Sequence, residues 1–109
     1  MALDIMRFDR PMRDPESKII WSHPFSNEQF FRNVWEPAIK AHGLKLIKDY
    51  GTFTPEQVDD ALDELRILLK WCDDNLEGRD RHYMHNRIED LIRVIPEAAL
   101  ESNEPFHIF

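Results

Sequence analysis

The chain has 109 residues, 42% of them hydrophobic and 32% charged, with a formal net charge of -7. That length suits one domain, residues 1–109, with its own core, and the apolar share argues against wholesale disorder. The acidic balance disfavours nucleic acid as a ligand, because phosphate contacts need clustered Lys and Arg, and no apolar run approaches the roughly 20 residues required to cross a bilayer. The segment from Met1 to Arg10 carries Asp4 and Asp9 and lacks a central apolar block, unlike a secretory leader. Cys72 is the only cysteine, so an internal disulfide is excluded and a reducing cytoplasm is the expected location.

Two apolar pieces open the chain. Leu3, Ile5 and Phe8 alternate around Asp4 and Arg7, and Ile19, Ile20 and Trp21 follow a polar turn with Pro11, Pro15 and Ser17. Both read as short strands. Trp21-Ser22-His23-Pro24-Phe25 then reads as a strand-to-helix turn, since the residue before a proline avoids the helical region. Ser26 with Gln29 matches a capping box and predicts a helix start there. Phe30, Phe31, Val34, Trp35, Ala38, Ile39 and Ala41 cover a wide face of that helix, Pro37 predicts a kink or break, and Gly43 a stop. Leu44, Leu46 and Ile47 suggest a third strand.

The clearest start signal is Thr54-Pro55-Glu56-Gln57, with Thr54 as N-cap and Pro55 at the first helical position. From it run Val58, Ala61, Leu62, Leu65, Leu68, Leu69, Cys72 and Leu76 at spacings of three and four, to about Gly78. A last helix is expected from near Asp80, carrying Met84, Ile88, Leu91, Ile92, Ile95 and Ala99 on one face, with Pro96 bending it or ending its regular part. Phe106 to Phe109 reads as a final strand or docked end. The expected fold is α+β: three main helices packed on a small, mostly antiparallel sheet.

Charge is distributed unevenly along these elements. Between Asp49 and Glu77 there are nine carboxylates against only Arg66 and Lys70, and the remaining residues balance. Projected at 100° per residue, the helix from Pro55 sets Glu56, Asp60, Asp63, Glu64 and Asp74 opposite its apolar stripe, with Ile67 and Trp71 among them at i, i+4 spacing. Ile67 and Trp71 admit two readings, burial under a neighbouring segment or an interface anchor within a charged surround. On the second, Asp60, Asp63, Glu64, Ile67, Trp71 and Asp74 form a partner-binding surface for a basic protein, whose association the carboxylates would accelerate.

Catalytic chemistry finds little support. His82, His85 and Glu89 share a strip of the last helix, but the spacing lacks the HExxH pattern and predicts no further ligand, so no metal or other cofactor is expected. Cys72 sits on the apolar stripe, where a thiol is packing. No nucleophile elbow or phosphate-cradling glycine loop occurs. An enzyme would have to use His82, His85 or His23.

The acidic helices with embedded aromatics such as Trp71, the segment Arg87-Ile88-Glu89-Asp90-Leu91-Ile92 running into Pro96-Glu97-Ala98, and the terminus from Phe106 to Phe109 together resemble the small acidic immunity proteins of bacterial polymorphic or contact-dependent toxin systems. The resemblance implies a non-catalytic inhibitor, similar in logic to barstar, that covers the cationic active site of a toxin domain such as a nuclease. The alternative expectation is a regulatory or adaptor subunit with no toxin partner, homodimeric through its helices or its tail.

Overall fold

The computed structural model describes residues 2–109. Strands β1 (Ala2–Phe8), β2 (Ile19–Asn27), β3 (Thr52–Phe53) and β4 (Phe106–Ile108) form one sheet in the order β2-β1-β4-β3, with every neighbouring pair antiparallel. The fold is α+β, as expected. The tail supplies β4, one of the two inner strands, and Thr52–Phe53 replaces the strand expected at Leu44 to Ile47. Those residues instead form a bent loop in which Ile47 is buried.

Alternation along β1 sends Leu3, Ile5 and Arg7 inward and Asp4, Met6 and Phe8 to the other face. Phe8 thus belongs to the outer face, beside His107 and Phe109. Arg7 takes the inward position expected for an apolar side chain. Its guanidinium donates to the main-chain oxygen of Ala98, to those of Ser102 and Glu104 at 2.6 Å each, and lies 4.3 Å from the Phe106 ring centroid. Burial draws its pKa below the ordinary value, while Glu101 and Glu104 oppose the shift.

β2 is longer than expected, because Ser22 to Phe25 continue the strand. Asp4 exchanges both backbone hydrogen bonds with Phe109, at 2.9 and 3.0 Å, so its peptide groups point away from its β2 partner Pro24. By the same alternation the missing N–H of Pro24 faces the open edge, where no ladder bond is lost. Between Leu3/Ser26 and Asp4/Pro24 the register slips by one residue, leaving Phe25 as a bulge buried among Phe31 and Trp35.

The first helix starts one residue later than its capping-box reading, with Asn27 as N-cap accepting from the Phe30 N–H at 2.8 Å; Ser26 is a buried strand residue. α1 (Glu28–Phe30) passes through a π-helical turn (Phe31–Trp35) into α2 (Glu36–His42). Pro37 neither breaks nor ends it. Pro37 has no N–H to give the Asn33 carbonyl and its ring would crowd that oxygen. The wider turn, in which the Glu36 N–H reaches Phe31 O, accommodates both constraints. Gly43 ends the rod at φ 63°, and the Leu44 N–H returns to Ile39 O at 3.1 Å.

The Thr54 signal opens a 3₁₀ turn (Pro55–Gln57) that leads into α3 (Val58–Asn75). The Gln57 Oε1 accepts from the Thr54 N–H at 3.0 Å. α4 (Gly78–Ala99) begins slightly earlier than expected and continues through Pro96. Val58, Ala61, Leu62, Leu65, Leu68 and Cys72 of α3 meet Met84, Ile88, Leu91 and Ile95 of α4 in one buried cluster with Leu3, Ile5, Phe53, Phe106 and Ile108 of the sheet. α3 therefore packs one face inward and presents the other to solvent. No described helix is long and apolar enough to cross a membrane.

Candidate partner-binding surface

The outward face of α3 carries Asp60, Asp63, Ile67 and Asp74 in exposed positions. Ile67 is 41% exposed, the extreme for an aliphatic side chain on this helix. Trp71 is half-buried: it packs against the core cluster and also lines an open hollow of about 370 Å³ with Ile67, His42, Lys70, Asp74 and Asn75. The two alternatives for Trp71 are thus each partly met. The hollow lies where the end of α2 passes the last turns of α3, so His42 contributes a wall that helix periodicity within α3 could not reveal.

The carboxylates divide into three groups. Glu64 is turned aside: its Oε1 accepts from the N–H groups of Leu46 and Ile47, both at 3.0 Å, and its Oε2 from Lys45 at 3.4 Å. It therefore organises the Leu44 to Gly51 loop and is separated by this role from the surface on which it was expected. Asp49 binds Arg32 at 2.6 Å, and Asp73 binds His85 and Arg81 at 2.9 and 3.2 Å. These three serve the fold.

Asp63 and Asp74 make exposed pairs with Arg66 and Lys70, at 3.2 and 3.0 Å. Such pairs between mobile side chains contribute little and exchange readily for a stronger partner. Among the described residues, Glu56, Asp59, Asp60 and Glu77 make no ion pair. The surface thus offers Asp60, Asp63 and Asp74 around Ile67 and Trp71, a smaller acidic ring than the charge count implied.

Comparison of the sequence with protein-family models and curated proteins, and of the fold with solved structures, returns no match. What can be said of function rests on this geometry.

The groups named for chemistry lie apart or are already engaged. Ser22 and His23 occupy opposite faces of β2, Ser22 exposed and His23 half-buried. The His23 ring stacks on Trp21 at 6.2 Å with its Nε2 buried and without a partner, and burial lowers its pKa, favouring the neutral form. His82 Nε2 meets the Asn86 amide at 3.1 Å, while both nitrogens of His85 face carboxylates. No group of three His, Cys, Asp or Glu side chains suited to a metal occurs among the described residues. The Cys72 thiol is buried and donates to Arg81 O at 3.5 Å, and burial pushes its pKa up to about 11, away from the reactive thiolate.

Proposed function

We propose that this protein is a non-catalytic binding protein that neutralises a basic bacterial toxin domain, in the manner of an immunity protein, through the outer face of α3. The observation that carries this reading is the exposed Ile67 and half-buried Trp71 lining one hollow with Asp74, with Asp60 and Asp63 on the same face. An aromatic residue already packed on one side loses little side-chain entropy when covered on the other, which suits it to anchor an interface. The surrounding carboxylates favour a cationic partner and steer its approach, while like charge repels acidic competitors.

A toxin active site that binds phosphodiester substrates must itself be cationic, and a face of this charge would compete for it directly. Asp63 and Asp74 would exchange Arg66 and Lys70 for the partner's cations, and Trp71 would enter an apolar recess. Asp60 needs no exchange.

The test is growth of cells that express a candidate toxin domain, such as one encoded beside this gene, with and without this chain. Native protein should restore growth, and an Asp60→Lys, Asp63→Lys, Trp71→Ala variant with unchanged circular dichroism should not. Equal protection by both forms would remove this face from the mechanism.

A further inference from the structure

We propose that Asp73, His85 and Glu89 form a proton-operated latch holding the C-terminal turn of α3 to α4. His85, on α4, places Nδ1 2.9 Å from Asp73 Oδ1 on α3 and Nε2 2.6 Å from Glu89 Oε1 on its own helix. Only an imidazolium has an N–H on both nitrogens. The neutral ring can donate to one carboxylate and must present a lone pair to the other at under 3 Å, so losing one proton leaves the two contacts incompatible. Because the Glu89 contact lies within one helical turn and the Asp73 contact spans two helices, the second is the one whose loss loosens the fold.

The charged groups around the ring are few. Asp73 reaches it from α3, and Glu89 from α4. Arg81, also on α4, donates its Nε to the same Asp73 oxygen at 3.2 Å, so deprotonation of His85 slackens the latch without freeing Asp73. His82 is turned to Asn86, and Asp74 to Lys70. Asp73 lies between Trp71 and the turn at Leu76 to Gly78, so the latch governs the order of the segment that carries Trp71 and Asp74.

The direction of the pH response follows from linkage. Bonding to Asp73, then Glu89, raises His85 above its ordinary 6.5, and bonding to His85, then Arg81, lowers Asp73 below its ordinary 3.8. A raised histidine contributes fully below its unfolded value and loses that contribution as pH climbs through its folded value; a lowered aspartate contributes above its unfolded value and loses that as pH falls through its folded one. The latch is therefore tightest between 3.8 and 6.5 and slackens as pH rises through the folded-state pKa of His85.

The test is an NMR titration of the His85 ring in the full chain, with amide-exchange protection factors for residues 72–78 measured over the same range. His85 should titrate above 6.5, and Asp73→Asn and Glu89→Gln should each bring its midpoint down. Protection should fall several-fold as pH passes that midpoint, and this step should vanish in His85→Gln. A midpoint at or below 6.5, or an identical step in His85→Gln, would overturn the latch. Neither readout requires a partner, so the result stands apart from the fate of the binding proposal.

Discussion

Arg7 shows how one side chain can tie together parts of the chain that sequence patterns leave unrelated. It serves three carbonyl oxygens, that of Ala98 in the last turn of α4 and those of Ser102 and Glu104 in the segment beyond it. Arg7→Leu would fill similar space yet take from these three acceptors the charged donor that joins them to β1, so we expect a loss of about 3 kcal/mol in urea unfolding. A loss below about 1 kcal/mol would mean that water replaces the guanidinium. Glu64 is comparable on a smaller scale. Glu64→Ala should cost about 1–3 kcal/mol by thermal unfolding, with Glu64→Gln milder because it keeps an acceptor oxygen, whereas Asp60→Ala should change little. Equal effects of Glu64→Ala and Asp60→Ala would show that the loop does not depend on the carboxylate. Neither role was legible in the sequence. An alternation rule sees Arg7 as polar and therefore outward, and a helical wheel sees Glu64 as one of the solvent-facing acids, because both roles depend on segments distant in sequence.

At the scale of elements, the long helices, the two N-terminal strands and the strand in the tail were legible, whereas β3 and the full length of β2 were not. The stripes of α3 and α4 repeat over several turns, and the Thr54 signal names its own start, so local pattern and tertiary burial agree. β3 has two residues, too few to show any period, and its place is set by pairing with β4 at the far end of the chain. Gly51 is what brings it there: a Cβ would meet Leu46 O at 2.1 Å, so only glycine permits this approach to the loop backbone. Pro24 misled in another way, since a proline inside a strand is permitted where the strand is an edge, and edges are not visible before the sheet order is known. β2 runs from Ile19 to Asn27 without a charged residue, with Ile19 and Ile20 more than half exposed. An edge of that kind invites pairing unless blunted, and Pro24 with its adjacent bulge supplies the block. Pro24→Thr restores an outward N–H beside Ser22 and should increase self-association, read by sedimentation at rising concentration. Unchanged sedimentation would assign the protection to the bulge alone.

Across the whole molecule, charge and packing separate into layers. The sheet and the inner faces of α3 and α4 share one core, and the excess of carboxylates lies in the stretch from Asp49 to Glu77, largely on the outside of α3. The sequence located this asymmetry but overstated its free part, because Asp49, Glu64 and Asp73 each hold the fold together. What remains, Asp60, Asp63 and Asp74 around Ile67 and Trp71, is small enough for a few substitutions to abolish. The most direct test is retention of partners from source-cell extract at low salt by the native chain and by a Trp71→Ala, Asp63→Lys variant of unchanged fold. The account predicts that a basic toxin or nuclease domain is held by the native chain alone and released as salt is raised. Equal recovery of that domain by both forms, or retention that salt does not weaken, would contradict it.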